Sequence, residues 1–396
     1  MKKIISIAIV ALFITAGAFA QDTKKEEEKG YKFTMVKENP STPARDQSRS
    51  GTCWSFAGLS LLESELIRTG KGEIDLSEMW IVRHAYMEKA ERYVRFHGNI
   101  NFSSGGGFHD ITEMIKKYGI VTEEAYPGLN YGVQKHNHGE LDKVLEAFMK
   151  SIITQTTISP AWRTAFNGLL DAYFGVLPTT FQYKGVTYTP QAYAKFLGLN
   201  MDDYIEIGSF THHPFYTKFI IEIPDNWMLG SIHNVPLNEM MEIIDQTIEN
   251  GYTVGWGADV SEKGFSWKNA VAIVPDEDKS DLGGTERDKW EKLTPAEKAK
   301  ANYSFDGTAK EKAITQEMRQ LAFDNYNTTD DHGMQLVGIA KDQNGNKFYK
   351  VKNSWGTESI YDGYFYASEA FIKYKTIDFM INKNALSKPM AKKLGL

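Results

Sequence analysis

The sequence predicts an α+β chain, helical toward its N-terminal end and rich in strands over its last hundred residues. Two observations carry this. From Cys53 onward, Phe56, Leu59, Leu62 and Leu66 recur at steps of three and four, the period of a helix with an apolar face. Near the other end, "MQLVGIAKDQNGNKFYKVKNSW" holds two β-rich runs around Asn344-Gly345, a strong short-range hairpin signal. Hydrophobic residues are 42% and charged residues 24%, the composition of an ordinary globular protein with enough chain for one elaborated domain or two.

Taken in order, residues 1–20 read as a signal peptide. Lys2 and Lys3 form a basic start, an apolar run follows, and Ala18-Phe19-Ala20 makes an A-x-A cleavage site before Gln21. The run is short for a membrane span, so the expectation is an exported chain, periplasmic or secreted, free of the membrane after cleavage. Residues 21–30 are a charged, flexible tether. Residues 31–45 are extended, broken by Pro40 and Pro43. After the helix from Cys53, which Gly70 follows, "DLSEMWIVRHAYMEKAERYVRF" offers a second with Ser77 as its cap. "NFSSGGGFHD" is a glycine loop leading into a helix over 108–118. Residues 125–250 mix aromatic strands with short helices. Residues 275–312 are a polar excursion with one helix from Pro295. The spacing of Asp342, Asn344 and Asn346 hints at calcium, but Gly345 falls at the fourth loop position where that motif needs it at the sixth. The stretch therefore reads as a hairpin.

The formal charge is -6, and -8 without Lys2 and Lys3, which argues against nucleic acid as a partner. Cys53 is the single cysteine, so in an oxidising compartment it is either a buried bystander or a reactive thiol. Its neighbours favour the second. A thiol at a helix N-terminus meets the positive end of the dipole and free N–H groups, which favour thiolate. Such a nucleophile needs an imidazole, a group that orients it and donors for an oxyanion. His332 opens one hairpin strand and Asn353 closes the other. A turn centred on Asn344-Gly345 sets His332 against about residue 357, so Asn353 reaches it only if a bulge intervenes. Gln47 and the Cys53 N–H are the candidate oxyanion donors. The pairs His136/His138 and His212/His213 lack the spacing of a known metal site, and neither a metal nor another cofactor is expected.

These residues carry a resemblance. Gln47-x5-Cys53-Trp54, "DHGMQLVGIA" and "VKNSWG" resemble the papain-like cysteine peptidases, and "DLSEMW", "SSGGGFHD" and "KYGIVTEEAYPG" resemble landmarks of the bleomycin hydrolase and bacterial aminopeptidase C branch. The similarity runs from about residue 31 to 386. It implies a two-lobed papain-like fold over 31–396, a helical lobe carrying Cys53 and a β-rich lobe carrying His332 and Asn353, with a family insertion at about 130–320. It implies peptide substrates, hydrolysis through a thioester acyl-enzyme, and an aminopeptidase in preference to an endopeptidase. A homo-oligomer is a further implication. By the same resemblance, Gly105, Gly106, Gly107, Trp355 and Trp256 are expected to bind substrate, with Trp355 shielding the Asn353–His332 bond.

The chain departs from the pattern in places. Ser50 stands where papain has a cysteine, the Cys53-to-His332 separation is about twice the papain range, and Gly333 replaces the usual alanine. Residues 21–46 leave little room for an inhibitory propeptide. "INKNALSKPMAKKLGL" resembles the start of the branch's terminal segment without its arm, whose end carboxylate holds the substrate amine. The Leu396 carboxylate, or an acidic side chain of the insertion, is then the expected acceptor. A non-catalytic peptide-binding protein and an acyl transferase are the alternatives.

Overall fold

A computed structural model describes residues 30–277 and 284–396. The signal-peptide expectation and nearly all of the tether lie outside these residues. Strand β1 (Thr34–Glu38) leads to three helices, α1 (Cys53–Arg68), α2 (Glu78–Arg95) and α3 (Phe108–Tyr118), each where the sequence predicts it. Ser77 Oγ accepts the Trp80 N–H at 3.0 Å and caps α2. At the start of α3 the Asp110 carboxylate turns back to accept the Gly107 N–H at 3.2 Å.

Beyond them come α4 (Gly139–Ile153), α5 (Ala161–Phe174), a small hairpin β2 (Phe181–Tyr183) and β3 (Val186–Tyr188), and α6 (Pro190–Leu197). The aromatic content of this stretch suggests more strand than is found. Leu141, Leu145 and Met149 in α4, and Trp162, Phe166, Leu170 and Phe174 in α5, fall four residues apart and all are buried, so the helical period prevails over β-propensity.

The second lobe is a sheet of β4 (Tyr204–Gly208), β5 (Lys218–Ile220), β6 (Ser231–Asn234), β7 (Val254–Ala258), β8 (Phe265–Ser266), β9 (Val271–Ala272), β10 (His332–Lys341), β11 (Lys347–Lys352), β12 (Tyr364–Ser368) and β13 (Thr376–Asn382). Helix α7 (Leu237–Glu249) precedes β7. The polar excursion holds two helices, α8 (Gly284–Glu291) and α9 (Pro295–Asn302), before α10 (Gln316–Asp324); α11 (Glu369–Lys375) and α12 (Lys388–Lys393) follow β12 and β13. Helix α9 carries a capping box, Thr294 with Glu297, and α8 has no apolar period to betray it. The strand order β5-β6-β4-β13-β7-β10-β11-β12-β9-β8 makes β10 central, and the segment expected as an insertion supplies β5, β6, β4 and β7 on one side of it and β9 and β8 on the other. Strand β10 pairs along its first half with β7 and along its second with β1. Its pairing with β11 shifts by one residue between Leu336 and Gly338, the bulge that the His332–Asn353 approach requires.

Helix α1 sits between the helical and sheet cores. It is buried on nearly every side, Glu63 and Glu65 included. A polar network fixes it against the sheet. Gln335 on β10 accepts from Ser60 Oγ at 2.7 Å and donates to Ser64 Oγ and Thr253 Oγ1. Lys352 on β11 donates to Ser60 Oγ at 2.6 Å and Thr42 Oγ1 at 2.8 Å, while Thr42 Oγ1 and the Leu76 N–H donate to Glu63. Satisfied buried networks of this kind fix one arrangement of the packed elements. Here the arrangement is that of the Cys53 helix on the His332 strand.

Candidate active site

Cys53 is the first residue of α1, and its N–H, one of the orphan donors of a helix start, finds no acceptor among the described residues. The thiol faces the backbone N–H groups of Gly333 and Trp54. A Cβ on Gly333 would sit 3.2 to 3.4 Å from the Cys53 and Trp54 backbones, so glycine lets β10 press against the helix start. The loop before the helix is held by its own bonds. Ser50 Oγ donates to Gln47 O at 2.8 Å and pairs with Thr52 Oγ1 at 2.7 Å, work that a cysteine at 50 would not do. Gln47 donates one amide hydrogen to Ser50 O and accepts from Ser354 Oγ at 2.5 Å, which leaves its second amide hydrogen for the cavity it lines.

His332 Nε2 and Asn353 Oδ1 are 2.7 Å apart and buried, and the Trp355 ring lies 4.8 Å from the imidazole, tilted by 31°. With Nε2 bonded to Asn353, Nδ1 is the nitrogen free for proton exchange. Burial pulls His332 down to about 4, against the upward pull of Asn353. Burial pushes the Cys53 thiol up to about 12, with Asp330 and Asp225 adding to the push and the Gly333 and Trp54 N–H groups opposing it. The helix terminus that favours thiolate therefore works against burial and two carboxylates.

Gln47, Cys53, Gly105, Gly106, Gly107, His332 and Trp355 line one cavity of about 510 Å³. The three glycines are tight for reasons internal to the protein. A Cβ would sit 1.8 Å from Asp225 Oδ2 at Gly105, 2.4 Å from Asp110 Oδ2 at Gly106 and 2.6 Å from the His109 ring at Gly107. Lys89 donates to the carbonyls of Ser103 and Gly105, and Trp54 Nε1 to that of Ser104, so the loop is pinned from behind.

Trp256 does not line the cavity. It is 0% exposed, with Nε1 donating to Thr376 Oγ1 at 2.8 Å. Side chains alternate along β7, so Trp256 points into the sheet core and Gly257 toward the cleft. Leu396 lies elsewhere too, at a separate cavity of about 280 Å³ with His109, Lys116 and Glu206. His212 and His213 both meet Glu222, with ligand atoms within 4.8 Å of one another. However, Gln320 accepts from Thr211 N through Oε1 and so donates through Nε2 to His212 Nδ1, which keeps the proton on the His212 Nε2 that faces Glu222. The cluster is a hydrogen-bonded one.

Little in the residue pattern points to the acidic groups here. Asp225, Asp330, Asp331 and Asp378 line the same cavity as Cys53, and among the described residues no lysine or arginine does. Asp330 and Asp331 precede His332 in plain view, but Asp225 and Asp378 arrive from distant segments. Behind Asp378, His109 Nδ1 bonds Glu206 at 3.0 Å and its Nε2 lies 3.3 Å from Asp110. Burial pulls His109 down, but Glu206 and Asp110 outweigh it and hold the imidazolium up to about 10.

The arrangement is that of a two-lobed thiol hydrolase, and comparison with known proteins agrees. A Papain family cysteine protease model matches residues 32–193 and a Peptidase C1-like family model matches residues 301–395. Aminopeptidase C of Streptococcus thermophilus is 23% identical over 393 residues, 86% of this chain and 80% of that protein. Aminopeptidase G of Lactobacillus delbrueckii subsp. lactis is 22% identical over 409 residues, 89% and 83%. The crystal structure of pepw from Lactobacillus rhamnosis superposes with a TM-score of 0.68 at 19% identity, covering 91% of this chain and 84% of that one. The chain belongs to the papain-like cysteine peptidases, in the aminopeptidase C and bleomycin hydrolase-like branch.

Proposed function

We propose that this cysteine peptidase is an exported aminopeptidase that works through Cys53, His332, Asn353 and Gln47. The observation that carries the reading is the 2.7 Å His332–Asn353 bond beside the N-terminus of the Cys53 helix, in a peptide-sized cavity. The names of its relatives support release of N-terminal residues, and the residues before Gln21 support export.

In this reading a substrate carbonyl lies over the helix start. Its developing oxyanion takes the unclaimed Cys53 N–H and the free Gln47 amide hydrogen. Cys53 Sγ attacks the carbon as its proton passes to His332 Nδ1. Because burial disfavours both separated charges, transfer and attack proceed together, and the imidazolium is stabilised by donating Nε2–H to Asn353. Nδ1 then protonates the leaving amine, and a thioester remains on Cys53. Water attacks it with Nδ1 as base, releasing the acid and restoring the thiol. Trp355 covers the His332–Asn353 bond and keeps water from competing for it. No step calls for a metal.

The test is hydrolysis of an aminoacyl coumarinamide under reducing conditions by the purified protein and by its Cys53→Ala and His332→Ala variants. The reading expects turnover in the first alone. Turnover that survives either substitution contradicts it, and equal rates on the N-acetylated substrate would leave an endopeptidase.

A further inference from the structure

An aminopeptidase must hold a charged α-amine in its cleft, and a desolvated ammonium without a partner is costly. The acceptor is not the chain's last residue, since Leu396 lies at another cavity. Asp378 is 6% exposed and lines the Cys53 cavity, and no other described residue hydrogen-bonds its carboxylate; the His109 imidazolium acts on it only through space. A carboxylate so deeply placed, without a hydrogen-bond donor and open to the cavity, indicates a cationic ligand.

Its position fits a particular one. Asp378 on β13 pairs with Gly257 on β7, and Gly257 pairs with Gly333 on β10, so the three form a row across the sheet ending at the Cys53 thiol. Paired residues project to one face. The two glycines leave a bare floor, and the carboxylate leans over it, because a Cβ on Gly257 would sit 2.4 Å from Asp378 Oδ1. It thus lies about one strand spacing, ~5 Å, from Gly333. A substrate's α-nitrogen is about 2.5 Å from its scissile carbon, and a hydrogen bond adds about 2.9 Å. The two lengths match for an amine on the residue being cleaved.

The surroundings supply the rest. Asp330 lies two residues before His332, and Asp225, in the connection from β5 to β6, reaches Gly105, its Oδ1 bonded to Asn101 and Ser103. The nearby cations make their direct contacts elsewhere. His109 faces Glu206 and Asp110 and reaches Asp378 only through space, and Lys89 holds the glycine-loop carbonyls.

Resting on the aminopeptidase reading, we infer that Asp378, with Asp330 and Asp225 flanking it, is the site that binds the substrate's protonated α-amine, so that free-amine peptides are selected one residue from the thiol. Burial, with Glu206 and Asp330 beside it, raises Asp378 well above the usual carboxylate range against the opposing pull of the His109 imidazolium, and an ammonium would push in the same direction as His109.

The test is equilibrium binding to the full-length Cys53→Ala protein, which does not depend on turnover. The probes are Ala-Phe-Ala, acetyl-Ala-Phe-Ala and acetyl-Lys-Phe-Ala. The free peptide should bind on the order of 10- to 100-fold more tightly than its acetylated form, and adding Asp378→Asn should bring the two near equality. If Asp378→Asn does not fold, Gly257→Ala, which displaces the same carboxylate, decides. The inference is overturned by a free-amine preference that survives the substitution, by no preference at all, or by acetyl-Lys-Phe-Ala binding as tightly as the free peptide. Hydrolysis by the unmodified protein judges the aminopeptidase reading separately. A hydrolase whose preference ignores Asp378 keeps that reading and loses this one, and a non-hydrolase whose preference needs Asp378 does the reverse.

Discussion

Gly257→Ala adds a single methyl group to the floor of the cleft, without touching the thiol or the imidazole. The new Cβ would sit 2.4 Å from Asp378 Oδ1. Relief needs a retreat of about 1 Å by the end of a side chain, which a carboxylate can make by rotating. For a bound ammonium, that retreat stretches a contact of about 2.8 Å to about 3.8 Å, beyond hydrogen-bond range. At an effective dielectric of about 20, the Coulomb energy of the pair falls from about 6 to about 4.5 kcal/mol. The difference of about 1.5 kcal/mol is roughly tenfold in binding. Crowding costs about 1 kcal/mol or more in stability, while replacing glycine where φ is not positive returns about 0.4–1 kcal/mol through the unfolded chain. The variant should therefore fold. The assay is kcat/KM on a free-amine aminoacyl coumarinamide and on its N-acetylated form, with circular dichroism to check folding. The ratio of the two should fall about tenfold, chiefly through loss on the free-amine substrate. A folded variant with an unchanged ratio would refute the placement of the carboxylate at the amine.

Other expectations follow from the same geometry. Asn353→Ala leaves a buried imidazole N–H without its acceptor, which costs about 1–3 kcal/mol, so kcat should fall roughly 10- to 100-fold; losing the upward pull on His332 should also move the acid limb of the pH–rate profile to lower pH. Gln47→Ala should cost on the order of 10²–10³ in kcat, and Ser354→Ala, which frees the Gln47 carbonyl, about tenfold, with KM nearly unchanged in both. Asp330→Asn should raise Tm at pH 8 and do less as pH falls toward 4. Burial, with Asp225, Asp331 and Glu206, raises Asp330 to about 7. A raised carboxyl contributes stability below its unfolded value that is lost as pH climbs through the folded one. The ceiling is about 4 kcal/mol, and partial exposure cuts it to on the order of 1 kcal/mol, a few degrees in a melt. An unchanged or lower Tm at pH 8 would contradict the burial of that charge.

Local signals made much of this legible in the sequence. The helix from Cys53 has a clear period, Ser77 is a standard cap, and Asn344-Gly345 fixes the hairpin. The approach of Asn353 to His332 needed a bulge that no residue at 336–338 announces, since such shifts come from pairing with a neighbouring strand. Trp256 was misplaced because one position along a strand reverses the face, and only the paired strands reveal that Gly257 faces the cleft. Helix α8 has no apolar period, and α4 and α5 hide theirs among aromatics. The acidic row was invisible for another reason. Asp225, Asp330 and Asp378 lie on three elements far apart in sequence, and it is the sheet order that brings them to one cavity.

The acyl-enzyme on Cys53 is measured directly by an acid-quenched turnover of a free-amine aminoacyl ester, read by intact mass and peptide mapping. An aminoacyl mass is expected on the peptide containing Cys53, with a burst matching its formation, and neither in His332→Ala. Steady turnover without an adduct on Cys53, or turnover by Cys53→Ala, would contradict an acyl-enzyme there.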